Sequence, residues 1–511
     1  MTDIPEIIDS IKIGTPLYRE HEGGGCYVWS VADVGEAEYD SIYRTINHSG
    51  LTFVESHNFG TARFASFKKG GDALFLSHYP SVNELRAVYE PDCPYLALAN
   101  ERYDEKVQPL ITQIDLEDFG NSYVVRLCDG RFVIFDGGWE FEPDADKLYK
   151  VLCEQSDGSI PTIAAWFMTH AHIDHYRCYL VFNEKYGDKV KIERFLYNFP
   201  DPDINDAERL PLLLNQDEYI HIGRLNDAVK ASGAAFFRPH SGQVYRFGGA
   251  VFEVLSTPDD VFRTPMRDCN TASLVIKMTL AGQTTLFSAD AYYRGEKLGE
   301  RYGTFLKSDI LQLPHHGFGG GDEETYRLID PHTVLVPVHE REQFATMNIY
   351  YPHNPPLIYD LHVEDYFTGG RGNVTLRLPY TPRPNGRELL FEQIRLHSRQ
   401  AGATAWYFTD MTLENAKFTF VNTTQQTVPV YANLYFDDRA DFVGSIKVTV
   451  NPCSVTRIDL SDPSQIDGDA LYFNRNSLKK KGIKESAVFT VRFTSKVPVV
   501  VTGCKPADYF A

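Results

Sequence analysis

The strongest constraint on this chain is a cluster of metal-ligand side chains that directly follows an apolar segment. Residues 162–169 form an apolar, β-type run, and three histidines and one aspartate occupy the next six positions. These four residues are His170, His172, Asp174 and His175. Imidazole nitrogens and carboxylate oxygens at this density are typical ligands of a borderline cation such as zinc. The sequence therefore predicts a strand that ends at a metal site.

The spacing inside the cluster separates it into two pairs. Residues two apart in extended backbone project to the same side, so His170 and His172 can share one ion. Asp174 and His175 follow on the turn into the next helix, from which they can reach a second ion. An isolated histidine would more often be a packing residue, but the complete cluster predicts ligands.

The length of the chain predicts more than one domain. Hydrophobic cores stop growing at roughly 250 to 300 residues, and this chain has 511. Short strand and helix patterns predict a small α+β domain over residues 1–110, and alternating strands and helices predict the catalytic domain over 111–385. A Pro- and Gly-rich stretch at 378–386 predicts a linker, and strand patterns beyond it predict a β-sandwich over 386–511.

The net charge and the cysteine pattern restrict the partners. A net charge of −19 disfavours a general electrostatic grip on nucleic acid, and the two short lysine runs are expected to be solvated. The eight cysteines contain no CxxC pair, which indicates reduced thiols. Because no secretory pattern and no apolar run of roughly 20 residues is visible, we expect a cytoplasmic protein without a membrane partner. We leave a homo-oligomer open.

Three further segments occur in an order that resembles the metallo-β-lactamase superfamily. Residues 121–138 predict a hairpin with an Asp129-Gly130 turn that ends in Asp-Gly-Gly, residues 286–290 a strand that ends at Asp290, and residues 311–317 a Pro-His-His-Gly motif. With the histidine cluster, these segments extend from roughly residue 114 to 375. The resemblance implies an α/β (α+β) fold, the metallo-β-lactamase αββα sandwich, flanked here by the N-terminal α+β domain and the C-terminal β-sandwich.

The resemblance also implies a set of ligands and catalytic residues. It implies two divalent metal ions, with zinc expected and Mn or Fe as alternatives. Asp290 would bridge them, at least one of His315 and His316 would complete the second site, and Asp136 would orient the ligand histidines. The metal ligands implied are His170, His172, Asp174, His175, Asp290, His315 and His316, and the catalytic residues are Asp174, Asp290 and Asp136.

One departure from the common family pattern affects the predicted substrate. Many members carry a histidine in the third motif, whereas the corresponding stretch here, 268–276, contains Asn270 and no histidine. This pattern, followed by Pro-His-His-Gly, is similar to the branch with competence DNA-uptake nuclease-like domains and teichoic-acid phosphorylcholine esterases. We therefore expect Asn270 and His353 to contact substrate, although a surface loop is an equal interpretation for His353.

The predicted function is metal-dependent hydrolysis of a phosphodiester or phosphomonoester by a metal-bridging hydroxide. The expected partner is a small molecule or another phosphoester substrate. Hydrolysis of a lactam, thioester or carboxylic ester on the same site is one alternative. A di-iron oxidoreductase and a non-catalytic metal-binding scaffold are two others. The oxidoreductase is less favoured because such relatives usually have a glutamate where His172 stands and append a flavin domain, and neither feature is visible.

Overall fold

The structure is a computed structural model of the 511-residue chain. It describes residues 3–510 except 24, 95–100, 102, 200–215, 261–268, 294–296, 318–319, 341–342, 344–356, 358–360, 362, 391–392, 394–403, 413–414, 423, 437–441, 461–487, 498 and 504–507. His353, one of the two predicted substrate-binding residues, lies outside the described residues.

The N-terminal region is a six-stranded antiparallel sheet with two helices. Its strands lie in the order β1-β2-β6-β5-β4-β3. The elements are α1 (Ile4–Ser10), β1 (Thr15–Gly23), β2 (Cys26–Ala32), α2 (Glu36–Asn47), β3 (Thr52–Phe59), β4 (Ala62–Lys69), β5 (Asp72–Tyr79) and β6 (Glu84–Glu90). Apolar residues of both helices pack on one face of the sheet, so this region has a core of its own.

The first central sheet contains the predicted hairpin and the strand that precedes the histidine cluster. Its order is β13-β12-β10-β9-β8-β7-β21, and β11 also pairs with β10. The strands are β7 (Leu110–Gln113), β8 (Ser122–Arg126), β9 (Phe132–Asp136), β10 (Thr162–Phe167), β11 (Lys191–Ile192), β12 (Arg194–Leu196), β13 (Ala235–Phe237) and β21 (Val374–Arg377). The predicted hairpin is confirmed, because β8 and β9 are antiparallel and Gly130 in their turn has a φ of +90°.

The second central sheet has seven strands in the order β14-β15-β16-β17-β18-β19-β20. The strands are β14 (Val244–Phe247), β15 (Ala250–Ser256), β16 (Val275–Leu280), β17 (Gln283–Phe287), β18 (Ile310–Gln312), β19 (Thr333–His339) and β20 (Asp365–Gly369). Among the described residues, the region also contains α3 (Glu142–Gln155), the single turn α4 (Ile173–Tyr176), α5 (Cys178–Tyr186), α6 (Gln216–Ser232), α7 (Leu298–Tyr302) and α8 (Glu323–Ile329).

The period-two alternation of β9 creates the layers. Ile134 packs into the core under α3 and α5, whereas its neighbour Phe135 packs between the two central sheets. There, Phe135 stacks on Phe287 of the second sheet with ring centroids 3.9 Å apart. Successive side chains of a strand point to opposite faces, so one strand supplies both cores. The predicted αββα sandwich is confirmed by this arrangement of two facing sheets with helices outside.

Buried polar side chains join the N-terminal sheet to the second central sheet. Arg86 of β6 forms a very short ion pair with Asp260, and Tyr79 donates a hydrogen bond of 3.0 Å to the same carboxylate. Arg301 lies 3.3 Å from Asp260 and 3.5 Å from Glu84. Because all these groups are buried, removing one charge would leave another without compensation.

The C-terminal region is the β-sandwich that the sequence predicts. A five-stranded sheet, β25-β24-β27-β22-β29, and a three-stranded sheet, β26-β23-β28, share one apolar core. Phe418 of the smaller sheet packs against Phe408 and Phe493 of the larger. The strands are β22 (Thr404–Met411), β23 (Lys417–Asn422), β24 (Val428–Phe436), β25 (Phe442–Val450), β26 (Ser454–Asp459), β27 (Phe489–Ser495), β28 (Val500–Gly503) and β29 (Asp508–Phe510).

The chain divides into two compact units. The first contains Met1–His316, Gly320–His339 and Tyr366–Pro382, and the second contains Gly317–Gly319, Glu340–Asp365 and Arg383–Ala511. The division at 110/111 and 385/386 stays a prediction. Within the described part of the chain, every helix is too short or too polar to cross a membrane.

Candidate metal centre

The end of β10 places the histidine cluster. The last residue of β10 is Phe167, a bend follows at His170 and Ala171, and His172 is the extended residue that precedes α4 (φ −89°, ψ 149°). Asp174 and His175 then lie in the single turn of α4, where the backbone N–H of His175 donates to His172 O at 3.1 Å. This change from extended to helical backbone turns the two pairs of side chains in different directions.

The first pair forms one ligand group together with Asp290. His170 Nε2 lies 3.1 Å from His172 Nδ1 and 3.7 Å from Asp290 Oδ2. Ligand atoms of the three residues all lie within 4.8 Å of one another. His170 and Asp290 are buried, and His172 is half-buried, so the group opens toward solvent on one side.

The second pair forms another ligand group together with His316. His316 Nε2 lies 3.0 Å from Asp174 Oδ2, and His175 Nε2 lies 3.6 Å from the same oxygen. All three residues are buried. Their donor set, two imidazoles and one carboxylate, matches a site with three protein ligands and an open position.

Asp290 lies between the two groups. Its Oδ1 is 3.3 Å from His175 Nε2, and its Oδ2 is 3.4 Å from His316 Nε2. Asp290 follows β17 after Ala289, whose φ of +48° turns the chain inward, and the Asp290 N–H bonds to Ser273 Oγ at 3.2 Å. Its Oδ2 is also 3.7 Å from His170 Nε2 of the first group, so one carboxylate lies close to ligand residues of both groups.

The structure separates the roles of His315 and His316, which the sequence leaves open. Both residues have left-handed backbone (φ +49° and +51°), and His316 points into the second ligand group. His315 Nε2 is 4.0 Å from Asp290 Oδ2, and Asn270 Nδ2 lies 3.2 Å from it. The side chain of His315 is 23% exposed, so it lies at the rim of the centre.

Asp136 lies beneath the ligands, at the end of β9. Its Oδ2 accepts hydrogen bonds from His175 Nδ1, Thr169 Oγ1 and Asn121 Nδ2, each at 2.8 Å, and its Oδ1 accepts from Thr169 N at 2.7 Å. When His175 donates from Nδ1, its Nε2 lone pair faces the ligand group. Asp136 is therefore hydrogen-bonded to one imidazole and belongs to neither of the two ligand groups; its role in orienting ligands stays a prediction.

The protonation of the ligands follows from burial and neighbouring charges. Burial, followed by repulsion from His175, holds the pKa of His170 well below its usual range. Burial also opposes the charge on His316, but Asp290 and Asp174 outweigh it and raise the pKa of His316 to about 9. His175 and His316 together hold the pKa of Asp290 well below its usual range, against the effect of burial. The carboxylates thus hold positive charge at the place where cations would bind.

The residues present fit a pair of divalent cations. His175 Nε2 and Asp290 Oδ1 are buried and make no regular hydrogen bond to any of the described residues. A buried polar atom without such a bond costs free energy unless another partner satisfies it. Imidazole and carboxylate atoms aimed at one point are suitable partners for zinc, manganese or iron.

Several residues of the centre belong to no sequence pattern that predicts a metal ligand or a catalytic residue. Thr169 and Asn121 bond to Asp136, and Tyr292 Oη lies 3.2 Å from Asn270 Nδ2. Thr169 and Asn121 adjoin recognised motifs, so their positions could have been suspected. Phe119 and Trp139, which lie beside the ligands, could have been suspected only from their neighbours in the chain.

The region that carries the centre also matches a known family. Residues 116–346 match the family described as the metallo-beta-lactamase superfamily. The segment with the metal centre is therefore metallo-beta-lactamase-like. That segment includes both ligand groups, Asp136 and Asn270.

Solved structures similar to the chain include proteins of different kinds. CmlA, a diiron beta-hydroxylase from Streptomyces venezuelae, has 12% identity and a TM-score of 0.33, covering 57% of this chain and 55% of its own. The metallo-beta-lactamase fold protein YhfI from Bacillus subtilis has 12% identity and a TM-score of 0.32, covering 53% of this chain and all of its own. The Anabaena sensory rhodopsin transducer has 19% identity and a TM-score of 0.15, covering 19% of this chain and 92% of its own.

This chain thus spans about half the length of the hydroxylase. Among curated proteins, none matches the chain. The assignment of the metallo-beta-lactamase-like segment rests on its own sheets, its ligand groups and the family match over residues 116–346.

Proposed function

We propose that the protein is a metal-dependent hydrolase that acts on a phosphodiester or phosphomonoester. The observation that supports the substrate class is Asn270, which stands in the third motif and extends toward the first ligand group. Its Nδ2 lies 3.2 Å from Tyr292 Oη and 3.2 Å from His315 Nε2, and His315 lies 4.0 Å from Asp290. The side chains of Asn270, Tyr292 and His315 therefore form a polar rim beside Asp290, with an amide at the third-motif position.

In this proposal each ligand group would hold one divalent ion, with Asp290 available to both groups. His170 and His172 complete the first site, and Asp174, His175 and His316 complete the second. Ions bound there would supply a water-derived nucleophile at neutral pH and would neutralise charge on the substrate. Asp136 would keep His175 in the tautomer whose Nε2 binds metal.

The polar rim suits phosphoryl oxygens. Asn270 Nδ2 donates to Tyr292 Oη at 3.2 Å and lies 3.2 Å from His315 Nε2, so the amide N–H groups lie on the rim of the centre. The Tyr292 hydroxyl and the His315 ring add two further groups that can donate a hydrogen bond. A phosphoryl group carries several charged oxygens throughout its hydrolysis. Hydrogen-bond donors placed beside these oxygens stabilise the negative charge that develops on them.

The test compares metal-loaded protein on several substrates. Bis-p-nitrophenyl phosphate and p-nitrophenyl phosphate represent phosphoesters, and nitrocefin, p-nitrophenyl acetate and a thioester represent the alternatives. We expect turnover of a phosphoester with zinc or manganese, and we expect Asp174→Ala to lower it at least about a hundredfold because it removes a ligand. Asp330→Ala is the control, because Asp330 forms an exposed ion pair with Lys307.

Each other outcome identifies a different function. Turnover of nitrocefin alone would identify a lactam as the substrate class. Turnover of p-nitrophenyl acetate or of the thioester alone would identify a carboxylic ester or a thioester. Iron retention with oxygen consumption would indicate the di-iron oxidoreductase. Metal binding without any turnover dependent on Asp174 would leave a metal-binding scaffold.

We also propose a small-molecule or phosphoester substrate, a cytoplasmic location, and neither nucleic acid nor membrane as a partner. The net charge of −19 supports weak binding to polyanions. Light scattering after size-exclusion chromatography would decide between a monomer and a homo-oligomer.

A further inference from the structure

Three aromatic rings form a row that runs from the second ligand group to the surface. The Phe119 ring contacts His316 edge to face, with centroids 5.8 Å apart. Trp139 contacts Phe119 at 5.5 Å, also edge to face, and Phe141 stacks on Trp139 at 5.8 Å with 14° between the ring planes. We call Phe119, Trp139 and Phe141 the aromatic ladder.

Backbone hydrogen bonds attach the ladder to the ligand residues. The N–H of Asn121 donates to Asp174 O, and the N–H of Gly138 donates to His175 O, both at 3.1 Å. The indole Nε1 of Trp139 donates to Phe119 O in a very short bond, which ties the two ladder loops together. The position of the rings relative to the metal centre is therefore set by the fold before any substrate binds.

The ladder remains accessible at its outer end. Phe119 and Trp139 are half-buried, and Phe141 is 38% exposed. None of the three rings belongs to the described apolar core clusters. Aromatic rings that stay accessible beside polar ligands have apolar surface that a substrate can cover.

Two arginines lie beside the outer end of the ladder, among the carboxylates that its own loops carry (Glu117, Asp118, Glu140 and Glu142). Glu140 lies between Trp139 and Phe141 in the chain, and its carboxylate is 3.3 Å from Arg224 Nη2 and 4.0 Å from Arg177 Nη1. Two guanidinium groups flank one carboxylate, which gives this cluster of three side chains a net charge of +1. Arg177 is mostly buried, and its Nε has no hydrogen-bond partner in the described part of the chain.

We propose that the aromatic ladder binds a planar ring of the substrate, so that the substrate is an aryl or heteroaryl phosphoester with its phosphoryl group at the metal centre. This inference rests on the proposed phosphoester function and adds the chemical class of the group that the phosphoryl group carries. Stacking recognises the flat π-face of a ring, which a saturated ring of equal size lacks. The row of rings thus acts as the specificity-determining surface beside the ligands.

The test measures binding of phosphonates, whose phosphorus–carbon bond resists hydrolysis, to the zinc-loaded protein by calorimetry. The probes are phenylphosphonate, cyclohexylphosphonate and methylphosphonate. We expect phenylphosphonate to bind about tenfold more tightly than either of the others, the ratio that one stacked ring supplies. Trp139→Ala and Phe141→Ala should each reduce that ratio to below about threefold and leave methylphosphonate binding within about twofold.

The matched control is Phe53→Ala. Phe53 is 42% exposed, close to the exposure of Phe141, and meets the Phe67 ring edge to face at 5.9 Å, but it lies on β3 of the N-terminal sheet. Phe53→Ala should keep the wild-type ratio. Because Phe141 is exposed, Phe141→Ala keeps the test valid if Trp139→Ala does not fold.

Three results would overturn the ring site: equal binding of the phenyl and cyclohexyl compounds, no preference for phenyl over methyl, or an unchanged ratio in both ladder variants. The function is judged separately by turnover. A protein that hydrolyses no phosphoester but shows the ladder-dependent ratio would have the ring site without the proposed function. A protein that hydrolyses phosphoesters without that ratio would have the function without the ring site.

Discussion

At the scale of single residues, Asp136 accepts four hydrogen bonds with its carboxylate from residues that surround the metal centre. It accepts bonds from the backbone of Thr169, from the side chains of Thr169 and Asn121, and from His175 Nδ1. It is completely buried and adopts a φ of +56°, which aspartate and asparagine tolerate better than other non-glycine residues. Asp136 thus links β8, β9 and the histidine cluster in one hydrogen-bond network.

The substitution Asp136→Asn tests this role. Asparagine fits the backbone conformation, but its amide would face donors of Thr169, Asn121 and His175 with one acceptor oxygen fewer. We expect apparent zinc affinity to fall by about ten- to a hundredfold, the usual effect of losing a residue that orients a metal ligand. Competition with a chromophoric chelator measures this affinity.

Asp129→Asn is the control for that experiment, because Asp129 occupies the turn at the other end of the same hairpin and bonds to Arg131. It should bind zinc like the wild type. Equal zinc affinity in wild type and Asp136→Asn would show that Asp136 serves the fold and does not position His175.

At the scale of elements, the turn before β14 packs against the N-terminal sheet at a glycine, Gly242. Gly242 has a φ of +89°, and a Cβ added there would lie 2.1 to 2.5 Å from atoms of Phe64 in β4. Gly282, in the turn between β16 and β17, has a φ of +74° and open space around its Cα. The two glycines share backbone strain and differ in packing.

Alanine at these two positions should separate strain from packing. Gly282→Ala should lower the free energy of unfolding by about 1 to 2 kcal/mol, the cost of left-handed backbone in a residue with a Cβ. Gly242→Ala adds an overlap with Phe64 and should cost about 1 to 3 kcal/mol more. Urea denaturation measures both values. Equal destabilisation would mean that Phe64 moves aside without cost.

At the scale of the whole molecule, a buried histidine joins two regions of the first unit. His240 Nε2 lies 2.8 Å from Glu90 at the end of β6, and its Nδ1 lies 2.6 Å from Asp259 after β15. Its ring also stacks on Phe75 of β5 at 4.4 Å. Burial opposes the positive charge, but the carboxylates of Asp259 and Glu90 outweigh it and raise the pKa of His240 to about 9.

The raised pKa predicts a pH-dependent part of the stability. Because the folded pKa lies above the unfolded value of about 6.5, the stabilisation is complete below pH 6.5 and is lost as pH rises to about 9. The free energy of unfolding of zinc-loaded wild type should therefore fall by about 3 kcal/mol more than that of His240→Gln over this interval.

Guanidinium denaturation at pH 6.5 and 9 compares these proteins, with His48→Gln as an exposed-histidine control. The control should retain the wild-type pH dependence. A parallel fall in stability for wild type and His240→Gln would show that His240 holds no extra proton in the folded state.

The fold of the central region could be predicted from sequence because its signals are local. Alternation of side chains along β8 and β9, with the Asp129-Gly130 turn between them, defines a hairpin within a few residues. The spacing of His170 and His172 predicts a pair in the same local way, and the two side chains do fall in one group, although the backbone between them bends.

The sequence by itself determined the residues of ligand type and the hairpin, because both are local patterns, whereas the layered αββα fold was predicted from the resemblance to a known family. Only the tertiary structure decided that His316 joins Asp174 while His315 turns to Asn270, since the two histidines are neighbours with almost the same φ. It also decided the contacts of Phe119 with His316. Those contacts connect residues far apart in the chain, and they arise only when separate strands and loops pack together.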